Sequence, residues 1–185
     1  MEIKISNDEL KANRPTLKEV KQMTRLPISI LVENVRSVHN VGAIFRTADG
    51  FGAEKVWLAG YTAFPPRDDL AKVALGAENS VPWEHFENPI EAGKKILSRG
   101  IKLVGIEQSI RSVPIHEYEW DFPCCFILGN EVKGVSDELL DLAEDHVEIP
   151  MFGIKQSLNV SVAGGVIGYE VARVFNQLKV SRNEY

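Results

Sequence analysis

After Pro27 the chain alternates between short apolar runs and longer amphipathic ones. Residues 28–34, 55–60, 81–86, 102–107, 124–129 and 146–150 are brief, apolar or β-branched, and bounded by Gly, Pro or polar clusters, so they read as strands. Between them, 40–49, 68–75, 89–98, 136–142 and 157–178 carry helical spacing. The last of these has Val162, Val166, Tyr169, Val171 and Phe175 among its apolar positions. Residues 108–122 read as an irregular link rich in aromatics. Strands alternating with helices predict an α/β domain: a mostly parallel sheet with helices on both faces. Ligands bind such sheets beyond the carboxyl ends of the strands. That rule singles out the loops after residues 34, 107, 129 and 150.

Residues 1–26 read differently, as a polar basic arm ahead of a domain spanning 27–180. Pro15 suits the first turn of a helix. A helix from there places Lys18, Lys21 and Arg25 on one face, beside Leu17, Val20 and Thr24. That face is either a solvated side of a packed arm or a ridge that contacts phosphates.

Composition narrows the class. The chain has 185 residues, 44% apolar and 25% charged, which fits one folded domain and excludes a disordered chain. With 21 basic and 26 acidic residues its formal charge is -5, unlike a wholly cationic nucleic-acid binder, though a local basic face can still hold RNA. The two cysteines, Cys124 and Cys125, are adjacent in an apolar strand; they form neither a disulfide framework nor a zinc motif and read as buried, inert thiols. His39, His85, His116 and His146 are scattered without metal-ligand spacing, so no metal is expected. No segment reaches the roughly 18 apolar residues of a membrane span, and the amino terminus has no secretory apolar region. A soluble, cytoplasmic protein without a membrane partner is expected.

Two nucleotide motifs are ruled out. The first strand is followed by NVRSVHNVG in place of GxGxxG, which argues against a nicotinamide enzyme. GNEVKGVS (129–136) has glycines at P-loop spacing, but Val135 stands where the phosphate-reaching Lys must be.

Three loops concentrate the remaining chemistry. In NVGAIFRTADGFG (40–52), Asn40 can cap a helix, Gly42 permits close backbone approach, and Arg46 needs a partner if buried. In LGNEVKGVS (128–136), Gly129 ends a strand, Asn130 and Glu131 follow, and Ser136 can cap a short helix. In IPMFGIKQSLNVSVAGG (149–165), Pro150 ends a strand and Ser157 and Asn159 stand at a helix start. Gly164 and Gly165 inside that helix suggest close packing of another backbone.

In this order the loops resemble the three signature motifs of the SpoU/TrmH family of RNA ribose 2′-O-methyltransferases, in the SPOUT superfamily, from about Ile28 to Lys179. The first motif's residues match Asn40, Gly42 and Arg46; the second's match Gly129, Asn130, Glu131 and Gly134. The third's match Ile149, Pro150, Met151, Ser157, Leu158, Asn159 and Val160. KVALGAENSVPWEHF (72–86) is similar to the family's linking segment, whereas Val132 and Val135 depart from the usual Gly and Leu or Ile.

The resemblance implies a carboxyl-terminal trefoil knot, which pattern alone does not suggest. It implies S-adenosylmethionine as cofactor, with contacts at Gly105, Leu128, Gly129, Asn130, Gly134, Ile149, Met151, Ser157 and Leu158. It implies a homodimer using the last helix, and catalysis by Arg46 with Asn40, Glu131, Ser157 and Asn159, the neighbouring subunit being a candidate source of Arg46. The implied substrate is tRNA or rRNA, with a slight preference for tRNA. Its contacts are expected at Lys18, Lys21, Arg25, Arg46 and Arg67, the last in loop 60–70. The alternatives are methylation of an RNA base and a non-catalytic RNA-binding module.

Overall fold

The computed structural model describes residues 4–183; the first three residues of the basic arm lie outside the described residues. The elements are α1 (Asn7–Ala12), α2 (Leu17–Val20), β1 (Leu26–Glu33), α3 (Val38–Phe51), β2 (Ala53–Ala59), α4 (Asp68–Ala74), α5 (Ala77–Ser80) and β3 (Trp83–Phe86). There follow α6 (Pro89–Leu97), β4 (Lys102–Ile106), β5 (Val113–Pro114), β6 (Cys124–Leu128), α7 (Asp137–Leu142), β7 (Asp145–Glu148) and α8 (Val160–Asn183). The strands form one sheet in the order β3-β2-β1-β6-β4-β7-β5. Every pairing is parallel.

Alternation along the strands builds a core on each face. Ile28, Ile30 and Val32 of β1, with Phe126 and Leu128 of β6, pack under α3, α4 and α8 through Ile44, Phe45, Leu70, Ile167 and Val171. Leu31, Cys125 and Ile127 face the other way, toward Ala92 and Ile96 of α6 and Leu139 and Leu140 of α7. Central β6 is buried along its whole length, as a strand covered on both faces must be. Burial also pushes the Cys124 thiol up to about 12, so it stays protonated and inert.

Several boundaries differ from the sequence reading. The link 108–122 contains a two-residue strand, β5, that pairs with β7. Helix α8 begins at Val160, three residues late, because Asn159 Oδ1 accepts from Ser161 N at 2.9 Å and caps the helix. It runs on to Asn183, since neither Gly nor Pro interrupts 169–183. Helix α3 begins at Val38, with Ser37 as cap accepting from Asn40 N at 3.3 Å, so Asn40 is not the cap. Gly42 does admit close approach, but of α4: a Cβ there stands 2.8 Å from Val73 Cβ and 3.0 Å from the Leu70 carbonyl.

The arm corrects a further expectation. Thr16 and Glu19 close a reciprocal cap around a single helical turn, and α2 stops at Val20. Arg25 therefore shares no helical face with Lys18 and Lys21. Its Nη1 donates to the Ala53 carbonyl at 3.0 Å and Nη2 to the Ser80 carbonyl at 2.6 Å. Arg25 is a strut that ties the end of the arm to β2 and α5. Arg25→Ala should lower the unfolding free energy by about 2 kcal/mol in urea titration, the worth of charge-assisted bonds to carbonyls. An unchanged midpoint would return this side chain to the phosphate ridge.

Candidate active site

Loops leaving the carboxyl ends of β4, β6 and β7 enclose, with the start of α8, a cavity of about 480 Å³. Leu128, Gly129, Asn130 and Gly134 line it from the loop after β6, and Ile149 and Met151 from the loop after β7. Ser157, Leu158 and Asn159 line it where the chain turns into α8. Gly105 does not line it. That residue sits within β4, where a Cβ would stand 2.6 Å from Leu140 Cδ2, so its bare α-carbon accommodates the core under α7.

The loop after β6 closes on itself. Asn130 and Gly134 exchange two backbone hydrogen bonds of 2.9 Å, and Asn130 Oδ1 accepts from the amides of Val132 and Lys133. A Cβ on Gly129 would lie 2.2 Å from Gly134 C and Val135 N, so only glycine fits there. Val132 holds its side chain out to solvent at 79% exposure, and Val135 is buried in the core under α7. Val132 nevertheless borders the cavity, whereas Val135 is not part of its lining.

Three carboxylates hold these loops, and the sequence reading identified only one of them. Glu33, 2% exposed at the end of β1, accepts from Ser136 N at 2.9 Å and Ser136 Oγ at 2.5 Å. Ser136 is the cap residue of α7, but its hydroxyl goes to Glu33 instead of a helix amide. Glu107 accepts from Val135 N at 3.0 Å and Gln108 N at 2.9 Å. Glu131 reaches across to β1's exit and accepts from Arg36 N, Ser37 N and Asn40 Nδ2 at 2.9–3.0 Å. Asn40 Oδ1 in turn accepts from Asn159 Nδ2 at 3.1 Å. Glu131, Asn40 and Asn159, one from each motif, thus form a hydrogen-bonded chain at the cavity. The signal for Glu33 and Glu107 was present: each is the acidic residue that ends an apolar strand, in LVEN and GIEQ.

Partial burial pushes the Glu131 carboxyl up, but donation from the Arg36 and Ser37 amides and from Asn40 outweighs it and holds the group below the usual 4.5. A carboxylate so fully engaged anchors a loop; it is a poor acceptor for a substrate proton. Ser157 is different: it lines the cavity, and its hydroxyl has no partner among the described residues.

Arg46 is exposed, lies outside the cavity of its own chain, and has no carboxylate partner among the described residues. It stands six residues, about 9 Å, along α3 from Asn40 and on another side of the helix. Lys18 and Lys21 are exposed on the arm. Arg67 is exposed too, but Asp69 clasps it through Nε at 3.0 Å and Nη2 at 2.7 Å. Among the described residues no cluster of His, Cys, Asp or Glu could hold a metal ion, and no helix is long and apolar enough to cross a membrane.

Comparison with known proteins gives a consistent result. Residues 27–169 match the model of the SpoU rRNA Methylase family. The chain is 34% identical over 158 residues to the tRNA (guanosine(18)-2′-O)-methyltransferase of Aquifex aeolicus, covering 85% of this chain and 74% of that protein. The crystal structure of the A. aeolicus TrmH/SpoU tRNA modifying enzyme superposes with a TM-score of 0.78 at 31% identity, over 88% of this chain and 84% of that one. An AdoMet-bound rRNA methyltransferase from Sinorhizobium meliloti superposes with a TM-score of 0.76 at 25% identity, over 83% of this chain and 59% of that one.

The Glu131 anchor has a testable pH dependence. Because its folded pKa lies below the ordinary value, its contribution is complete above pH 4.5 and is lost as pH falls through the folded value. Hydrogen exchange at the Arg36 and Ser37 amides should accelerate in that window beyond the intrinsic trend. Glu131→Gln should remove the extra pH dependence, and identical profiles for both proteins would refute the anchor.

Proposed function

The chain belongs to the SpoU family of RNA methylases, and from that premise we propose that it transfers a methyl group from S-adenosylmethionine to a ribose 2′-hydroxyl of tRNA. The observation that carries this reading is the junction of Glu131, Asn40 and Asn159 beside the cavity. It draws on all three motifs and serves no purpose in the core. The cavity suits the cofactor. Leu128, Ile149 and Leu158 offer apolar walls to a flat base, the loop backbones offer hydrogen-bonding groups, and Glu107 and Glu131 favour a cation. When bound, S-adenosylmethionine supplies an electrophilic methyl carbon.

The protein's task is to bring the ribose oxygen into line with that carbon and to stabilise the charge the oxygen gains. A guanidinium stays protonated, so Arg46 acts by holding the adjacent phosphate in a bidentate grip and stabilising the developing alkoxide. Ser157 contributes a free hydroxyl to the substrate. Asn40, Glu131 and Asn159 act as positioning residues that fix the loops around it.

Arg46 reaches a cavity by dimerisation in this reading. On α8, Val162, Val166 and Tyr169 are 51%, 41% and 57% exposed and form one stripe at helical spacing. Tyr169 abuts Gly50, which lies one turn beyond Arg46 on the same side of α3. An apolar stripe and a cation with no protein partner thus share one surface, which supports a homodimer in which each subunit's Arg46 serves the other's cavity. The chain threading around β6 and β7 is proposed to form the family's trefoil knot. The domain is taken as 27–180, acting in the cytoplasm, with the basic arm through Lys18 and Lys21 and the loop at Arg67 contributing contacts to RNA.

Arg46→Ala should retain cofactor binding in calorimetry and lose methyl transfer by at least about 100-fold, since removing a group that stabilises the transition state lowers kcat. Retained transfer would remove Arg46 from the mechanism. Mixing Arg46→Ala with Gly129→Val should restore part of the activity, because a mixed dimer has one intact composite site. No restoration would mean each site is complete within one chain.

A further inference from the structure

A second surface beside the cavity has the composition of a nucleic-acid contact. Tyr61 is 61% exposed, yet both ends of it are fixed. Its amide donates to Asn34 Oδ1 at 3.2 Å, and its hydroxyl accepts from Asn130 Nδ2 at 2.8 Å. Its support is built with care. Asn34 holds a left-handed φ of +51°, and a side chain at Gly60 would collide with Asn34 Oδ1. Thr62, 1% exposed, donates to the Val32 carbonyl and accepts from Val35 N. An exposed aromatic ring normally samples several rotamers. This one is pinned at its tip by the same Asn130 whose carbonyl oxygen organises the loop lining the cavity.

Arg36 lies on the same surface. Its amide is bound by Glu131, the residue after Asn130, and Val35 next to it is tied to Thr62, the residue after Tyr61. Its side chain is exposed and has no partner among the described residues. A fixed aromatic ring bonded to Asn130 and an unpaired guanidinium whose backbone is bonded to Glu131, both of these partners lining the cavity, match what single-stranded nucleotides require: a surface on which a base stacks and a cation for the neighbouring phosphate.

We propose that Tyr61 and Arg36 form the platform that receives the target nucleotide of the RNA, Tyr61 by stacking on a base and Arg36 by contacting a backbone phosphate. This rests on the RNA methyltransferase reading and assigns two substrate-contacting residues to the same site. The sulfonium cofactor gains nothing from a second cation, so the platform serves the RNA and not the cofactor.

The test uses the full-length protein with tritiated S-adenosylmethionine and total tRNA and rRNA from cells lacking this gene. Tyr61→Ala should raise KM for RNA by about tenfold or more, the worth of one stacked base, and leave cofactor Kd unchanged. Tyr61→Phe, which loses the Asn130 bond but keeps the ring, should retain most of the RNA affinity. Arg36→Ala should raise KM and make the salt dependence of RNA binding shallower by about one unit of slope, and Arg36→Lys should restore it. A wild-type KM in Tyr61→Ala overturns the platform while methylation itself stands. Equal losses in Tyr61→Ala and Tyr61→Phe with a matching rise in cofactor Kd also overturn it, because Tyr61 then only supports Asn130. A wild-type protein inert on both RNA fractions overturns the platform and the enzymatic reading together.

Discussion

Backbone amides at the carboxyl edge of the sheet need acceptors, and three carboxylates from three strand ends supply them. Glu33 holds Ser136, Glu107 holds Val135 and Gln108, and Glu131 holds Arg36 and Ser37. Loops in this position have no ladder to bond with, and a buried amide without an acceptor costs about as much as a lost hydrogen bond. The carboxylates therefore do two things at once. They satisfy the part-buried amides of Val135 and Ser136, and they fix the separation of the loops that enclose the cavity. The grips of Glu33 on Ser136, Glu107 on Val135 and Glu131 on Arg36 span 103, 28 and 95 positions in sequence, so the site forms only when the sheet has assembled.

This arrangement divides labour among polar residues that look alike in sequence. Glu131 and Asn40 are engaged by protein donors and acceptors, so they stabilise geometry. Ser157 and Arg46 have no protein partners among the described residues, which is why the proposed mechanism assigns them to the substrate. In the proposed dimer, the exposed Arg46 guanidinium and the exposed Val162, Val166 and Tyr169 of α8 would lie on one surface.

Much of the fold was legible in the sequence because parallel strands covered on both faces must be continuously apolar, as CCFIL is, and because Gly, Pro and Asn punctuate the ends. The cavity's loops were legible because a carboxyl-edge location and three motif patterns coincide. What was hidden has a common physical origin. The position of Arg25 depends on carbonyls 28 and 55 residues away, and no local pattern encodes such partners. The start of α3 turns on whether Ser37 or Asn40 caps it, and both are good capping residues. Gly105 stood as a cofactor contact through the resemblance and Gly42 as a place of close backbone approach; they make room for Leu140 and for α4, and glycine reports that space is scarce without saying what fills it. Two of the three anchoring carboxylates went unread because an acid at a strand exit looks no different in sequence from one that simply meets water.

The central strand has a consequence for assembly. Residues 124–128 insert between β1 and β4, so the two halves of the sheet have no shared edge until this segment arrives. During synthesis β1, β2 and β3 can associate early, but their exposed edge at β1 stays open until the chain has grown from Phe86 to Leu128. Long-range parallel pairing of this kind is slow, because the chain must close large loops before the contacts repay the lost entropy. The methyl-transfer pocket is thus among the last features to appear, and a truncated chain that stops short of β6 presents an unpaired apolar strand to its neighbours.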